Sequence, residues 1–255
     1  MKKVMSFDVD NTLNLAKSPA TPEMSKELIG LLDHYPVVAI SGQKFDQFIF
    51  QIVDPLKNAG AKPEQLKNLH LFVAQGTQYY RFENGDWVQK YNYALDDKQV
   101  AEITKALKTA AKELNYWEED KLKPGDEIIE NRISMIAFSA LGQKAGVEEK
   151  LAWDADMKKR NAIAEHAKKL APDYDFEVGG TTTINAFPPG MNKIFGMTHM
   201  MEELKVDKSE VLYFGDMTQP GGNDYPVVQM GIDTITVRDW EETANVLRGI
   251  QAVIQ

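Results

Sequence analysis

The sequence predicts an α/β fold, with a parallel-sheet core assembled from both ends of the chain and an α+β domain inserted between them. Short apolar runs alternate with helical stretches at both ends, the rhythm of βαβ units. That rhythm breaks at an Asn84-Gly85 hairpin signal. The middle of the chain then groups its strands apart from its helices. A length of 255 residues suits one large domain or two smaller ones, and 43% hydrophobic residues can fill an ordinary packed core.

The elements follow in order. Val4–Phe7 reads as a buried strand, Glu23–Leu32 as a helix and Pro36–Ile40 as a second strand. A helix over Lys44–Val53 leads to the buried strand Leu69–Ala74. Tyr80–Phe82 and Trp87-Val88 alternate across the turn Glu83–Asp86 and make a hairpin. From Ala94 to Asn115 the residues Val100, Ile103, Leu107, Ala111 and Leu114 recur at three or four, the spacing of one helix face. Strands at Ile128–Glu130 and Ser134–Phe138, a helix over Asp154–Leu170, and strands at Phe176–Val178 and Thr182–Asn185 complete the middle section. The βα rhythm then resumes with the helix Lys193–Leu204, the strands Val211–Phe214 and Thr234–Val237, and the helix Glu241–Val253. The expected division is a core of residues 1–87 and 188–255 around an insert of residues 88–187.

Composition narrows the function classes. Asp plus Glu number 38 against 29 Lys plus Arg, a net charge of −9 with no long basic run, which argues against nucleic acid as a partner. The absence of cysteine excludes disulfides, thiolate metal sites and thiol nucleophiles. No run approaches the roughly 20 apolar residues of a membrane helix, and Met1-Lys2-Lys3 precedes no signal-peptide core, so the expected location is the cytoplasm, with no membrane partner.

Chemistry is expected at the strand ends. Asp8 and Asp10 stand two apart where the first strand finishes, opening into the crevice where parallel sheets bind ligands. Two like charges in a partly desolvated cleft need a shared cation or proton, although Asp and Asn are also common in plain turns. Ser41-Gly42 follows the second strand and opens onto a helix, where a hydroxyl and backbone N–H groups can hold phosphate oxygens. Lys193, after Pro188-Pro189-Gly190-Met191-Asn192, can offset charge on a transferring phosphoryl group. The loop Gly215-Asp216-Met217-Thr218-Gln219-Pro220-Gly221-Gly222-Asn223-Asp224 follows another strand and offers oxygen ligands suited to a hard cation. The four histidines share no metal-ligand spacing, and the methionines Met191, Met197, Met200 and Met201 read as core packing.

Together these segments resemble the haloacid dehalogenase (HAD) superfamily, whose motifs are Asp-x-Asp-x-Thr, a Ser or Thr, a Lys and paired acidic residues, in that order. Within it the chain is similar to the eukaryotic-type phosphomannomutases, through Gly215-Asp216, Pro220–Asp224, Gly179-Gly180 and Phe187-Pro188-x-Gly190-x-x-Lys193. The resemblance implies a HAD-like Rossmannoid core with a type IIB α+β cap that closes over it, excludes water and selects the substrate. It implies Asp8 as the nucleophile that becomes an aspartyl-phosphate and Asp10 as the general acid and base. Mg2+ would be held by Asp8, the backbone carbonyl of Asp10, and Asp216. Thr12 and Ser41 with Gly42 would bind the phosphoryl group, Lys193 would stabilise it, and Asp224 would orient Lys193, with Asn223 beside it.

In the cap the resemblance places substrate binding at Arg132, Gln143, Lys150, Thr183 and Asn185. Gln143 stands where the family has an arginine, Thr183 and Asn185 where it has Ser and Asp, and Lys17 where it has an active-site arginine. Lysine lacks the bidentate fork of arginine, so these replacements should loosen a clamp on a distal phosphate. That expectation ranks a Mg2+-dependent phosphosugar phosphatase first and a phosphomannomutase second. A catalytically silent phosphosugar-binding protein is remote, because a binding module gains nothing from two carboxylates facing a phosphate. A receiver domain has no reason for so large an insert, and no Gly-x-Gly-x-x-Gly follows the first strand to suggest a dinucleotide site. The implied partners are a small phosphosugar and a second copy of the chain, paired through the cap.

Overall fold

The computed structural model describes residues 1–254, apart from the side chains of Val147 and Ile254. In chain order the first elements are β1 (Val4–Phe7), α1 (Pro22–Leu32), β2 (Val37–Ile40), α2 (Phe45–Phe48), a π-helical segment (Ile49–Val53), α3 (Asp54–Asn58), α4 (Pro63–Leu66), β3 (Leu69–Val73), β4 (Gln78–Glu83) and β5 (Asp86–Asn92). Next come α5 (Asp97–Glu113), β6 (Ile129–Asn131), β7 (Ile136–Ser139), α6 (Val147–Trp153), α7 (Lys158–Leu170), β8 (Asp175–Gly179) and β9 (Thr183–Phe187). The chain ends with α8 (Lys193–Leu204), β10 (Val211–Gly215), α9 (Tyr225–Gln229), β11 (Asp233–Thr236) and α10 (Trp240–Ile254).

Two compact units result, one of residues 1–92, 192–220 and 224–255 and the other of residues 93–191 with 221–223. The first boundary lies past residue 87 because β5 pairs with β4 along its whole length, from Glu83 opposite Asp86 to Gln78 opposite Asn92. The hairpin forms where the sequence signals it: Asn84 and Gly85 both take positive φ, 53° and 91°, as the tight turn between twisted strands requires.

The first unit is a seven-stranded sheet in the order β11-β10-β1-β2-β3-β4-β5, parallel from β11 through β3. Every residue of β1, β2 and β3 is buried, which accounts for their continuous apolar runs. β1 is flanked by β2 on one side and by β10, about two hundred residues later, on the other. The strand order reverses there, so the carboxyl end of β1 is the switch point where such sheets bind ligands.

α8 covers one face of this sheet through Met197 and Met200, packed with Val4, Ile40, Phe72 and Tyr213. It lies unusually close to the turn after β3, where Ala74 and Gln75 leave the strand with φ of 50° and 63°. A Cβ on Gly196 would come within 2.5 Å of the Gln75 carbonyl oxygen and 2.9 Å of Gly76 Cα. The expected helix over Lys44–Val53 is divided: α2 gives way to the π segment at Ile49, and α3 continues from Asp54.

The second unit is a four-stranded antiparallel sheet in the order β6-β7-β9-β8. Ile103 and Leu107 of α5 and Ile163 and Ala167 of α7 pack on Ile136, Phe138, Ile184 and Ala186. Because side chains alternate across a strand, the opposite face carries the row Glu130, Ala137, Asn185 and Glu177, with Ser139 beside Thr183. Among the described residues no helix is long and apolar enough to cross a membrane.

Candidate active site

The parallel ladder delivers Asp8 to its place. Phe7 stacks on Phe214 with ring centroids 4.6 Å apart, and the Asp8 backbone N–H donates to the Phe214 carbonyl at 2.9 Å. Asp8 is thereby buried at the switch point, 3% exposed. From the start of α8, Lys193 donates to Asp8 Oδ1 at 2.5 Å, to Tyr213 Oη at 3.0 Å and to Asp224 Oδ1. Tyr213 Oη donates to the same Asp224 oxygen at 2.6 Å, and the Met217 backbone N–H donates to the other at 3.0 Å. Asp224 is therefore held by β10 and its own loop, and it turns Lys193 toward Asp8.

The charges in this cluster do not balance. Carboxylate oxygens of Asp8, Asp216 and Asp224 all lie within 4.8 Å of one another, against the one ammonium of Lys193. Burial opposes the charge on Lys193, but Asp224 and Asp8 outweigh it and hold the ammonium above its ordinary pKa. Burial raises the Asp8 carboxyl well above its ordinary value, against the pull of Lys193 and with a further push from Asp224 and Asp216. Asp216 is pushed up to about 6 by burial and by Asp224. Crowded carboxylates whose protons are held this way fit a divalent oxygen-seeking cation, which would supply the missing positive charge. Two members of the cluster, Asp8 and Asp216, belong to the expected metal set, and Asp224 adds a third carboxylate beside them. The Asp10 side chain is directed elsewhere, which leaves to that residue only the backbone carbonyl that the expectation gave it.

Asp10 is gripped from three sides. Its Oδ1 accepts from the Lys17 backbone N–H at 2.8 Å and from Gln51 Nε2 at 2.9 Å, and its Oδ2 accepts from Gln43 Nε2 at 2.6 Å. Asn11, at φ 62°, turns the chain between the two aspartates and donates from Nδ2 to Asp216 at 3.4 Å. Thr12 is fully buried, and its hydroxyl has no partner among the described residues, as suits an oxygen that waits for a phosphoryl group. Ser41, also buried, sits one residue past β2 and is tied to β3 through its N–H on the Phe72 carbonyl, 3.2 Å. Lys17, the expected phosphate ligand, meets Asp10 through its backbone. Asn223 retains a buried Oδ1 without a partner in the loop after β10.

The expected residues of the second unit form two groups. Gln143 Nε2 donates to Ser139 Oγ at 2.9 Å, Ser139 lies 3.3 Å from Thr183 Oγ1, and Lys150 donates to the Gln143 carbonyl at 2.8 Å. Arg132 pairs with Glu130 at 2.8 Å, both largely buried, and Asn185 keeps a buried Oδ1 with no partner.

Sequence reasoning missed Gln43, Gln51 and Tyr213. Gln43 directly follows the Ser41-Gly42 signal and could have been read with it. Tyr213 is hidden in an apolar run, and Gln51 carries no signal, because an α-helical reading of its segment gives no hint of where a π turn points it.

A buried aspartate with a half-buried one two residues on, a lysine bridging two acids and strand-end placement at the switch point of a parallel sheet fit an enzyme of the HAD superfamily, and the folds of solved structures agree. The chain superposes on an IMP-nucleotidase from Plasmodium falciparum with a TM-score of 0.70 and 16% identity, covering 98% of this chain and 68% of that one. A haloacid dehalogenase-like hydrolase from Bacteroides thetaiotaomicron gives 0.62 and 14%, covering 98% and 100%. The sequence goes further: residues 62–251 match the model of the eukaryotic phosphomannomutase family, and the chain belongs to that family. A probable phosphomannomutase of Caenorhabditis elegans is 27% identical over 235 residues, 89% of this chain and 86% of the relative.

Proposed function

We propose that this chain moves a phosphoryl group between positions of a hexose phosphate through an aspartyl-phosphate on Asp8. The family match carries this reading, since its residues 62–251 take in the second unit up to Met191 as well as the later part of the first. It supports the mutase better than the phosphatase ranked first from the loosened clamp.

In the proposed reaction an Asp8 carboxylate oxygen attacks one phosphorus of a hexose bisphosphate, the bond from phosphorus to the sugar oxygen breaks, and Asp10 gives that oxygen its proton. A hexose monophosphate then presents its free hydroxyl. Asp10 takes that proton, the freed oxygen attacks the aspartyl-phosphate, and the bisphosphate so formed turns round to pass its other phosphoryl group to Asp8. Lys193 and Thr12 bind the phosphoryl oxygens, and Asp224 keeps Lys193 in place. A Mg2+ ion held by Asp8, Asp216 and the Asp10 carbonyl would let a carboxylate approach an anionic phosphate.

One observation favours the phosphatase: the Gln143 amide, where the resemblance expects an arginine, is engaged with Ser139. The test measures conversion of hexose 1-phosphate to 6-phosphate beside phosphate release, with and without a hexose bisphosphate. Fast conversion with little release is expected; release that outpaces conversion would make water the acceptor. Asp8→Asn should abolish both.

A further inference from the structure

We propose that Gln43 and Gln51 are positioning residues that aim Asp10 at the sugar oxygen, with Asp10 Oδ2 as the atom that carries the proton. The proposal rests on the acid and base role of Asp10 given above. Three separate elements converge on this one carboxyl: Gln43 from the loop after β2, Gln51 from the π segment, and the Lys17 N–H from the loop after β1. With a donor on each oxygen, the carboxyl cannot turn about its Cβ–Cγ bond without losing a hydrogen bond. Oδ1 receives two of these donors and Oδ2 only one. A carboxylate oxygen accepts about two hydrogen bonds, so Oδ2 retains the lone pair that can take and return a proton.

The local structure accommodates this grip at a cost in stability. Gln51 is fully buried, and its Oε1 has no partner among the described residues. Asn14, whose Oδ1 lies 3.4 Å from Gln51 Nε2, likewise leaves its Nδ2 unsatisfied. An apolar side chain would fill the site without an orphaned acceptor. The π segment has the same bearing: helices rarely widen to this form, and where they do the distortion often serves a site. Gln51 lies at its centre, with its own carbonyl fixed by the Ala20 N–H at 2.8 Å. The Gln43 carbonyl is fixed in turn by the Ala74 N–H at 2.9 Å. Both amides are built on anchored backbone.

The test uses the whole protein with Mg2+ and two substrates. Hexose phosphate has a poor leaving group that needs a proton, whereas p-nitrophenyl phosphate has one that leaves without help. Gln51→Met and Gln43→Met should each lower kcat/KM on hexose phosphate, which reports the step that phosphorylates Asp8, about tenfold, a part of what general acid catalysis contributes, and leave kcat/KM on p-nitrophenyl phosphate within about twofold. Gln51→Met should also keep or raise the melting temperature. In an Asp10→Asn background the glutamine substitutions should cost nothing further. Equal losses on both substrates, no loss on either, or losses that add to that of Asp10→Asn would overturn the proposal. Gln43→Asn, whose shorter amide falls short of Asp10, gives the same readout should a methionine variant fold poorly. If Asp10→Asn itself leaves the ratio of the two substrates unchanged, the acid and base role is wrong and the proposal falls with it.

Discussion

Lys193 is a fully buried ammonium between two buried carboxylates, so its loss is felt twice. Breaking a buried ion pair strands a charge in a medium that cannot solvate it, at a cost of about 3–5 kcal/mol. Lys193→Met should therefore lower stability by about that amount in urea titration, and turnover by about a thousandfold. Asp224→Asn in the same chain should restore part of the stability and none of the activity. His70 gives a second prediction. It packs on Tyr79, with Nδ1 2.7 Å from the phenol oxygen, and burial first and Arg81 second lower its pKa to about 4. The unfolded chain takes up this proton near pH 6.5 and the folded chain only near 4, so stability falls as pH drops through that window, by about 3 kcal/mol in all. His70→Phe should flatten the fall of melting temperature between pH 6.5 and 4; an unchanged slope would assign it to other groups. At this scale Asp8, Asp10, Lys193 and Asp216 are readable from the sequence because each follows an apolar run or opens a helix. Gln43 and Gln51 are not, since an amide reveals its purpose only when the carboxyl it grips is brought beside it.

α8 has two tasks, to cover the sheet and to hold Lys193, and its distance from the sheet serves both. Gly196 lies one turn beyond Lys193 and meets the Ala74–Gly76 turn with backbone against backbone. Gly196→Ala would drive a methyl into the Gln75 carbonyl and Ile40 Cδ1, at 2.5 and 2.6 Å. Neither the turn nor the buried Ile40 has room to retreat, so the helix must move, at a cost of about 3 kcal/mol. Its first turn should carry Lys193 away from Asp8. Turnover should fall more than a hundredfold while the circular dichroism spectrum stays native, and an alanine variant of normal activity would show that α8 has slack. Periodicity revealed this helix, and it revealed β1, β2 and β10, because burial on both faces leaves continuous apolar runs. It failed over Ile49–Val53, where apolar residues suit either kind of turn, and at α6 and α9, which are too short to show a period.

The whole molecule joins two cores of different construction, and only one should respond to a cation. The site draws Asp8 from one end of the chain and Lys193, Asp216 and Asp224 from the other, so it exists only when β1 lies beside β10. The family match begins at residue 62, after Asp8, Asp10 and Ser41, so the roles proposed for them rest on the motif resemblance of their segments together with this geometry. The second unit has its own core of α5 and α7 on a separate sheet and takes no part in the acidic cluster. A ligand that binds only the folded state protects what it binds by mass action. Mg2+ should thus slow hydrogen exchange in Val4–Leu13 and Val211–Gly215 and leave Asp97–Glu113 unchanged. The effect should depend on pH with a definite sign. A cation competes with protons for the carboxylates, and Asp216, pushed up to about 6, loses its proton as pH rises through that value. Protection by a fixed Mg2+ concentration should accordingly be strong at pH 7.5 and weak at pH 5, with EDTA removing it at either pH. Protection that persists undiminished at pH 5, or that appears over α5, would mean that the cation binds elsewhere than at Asp8 and Asp216.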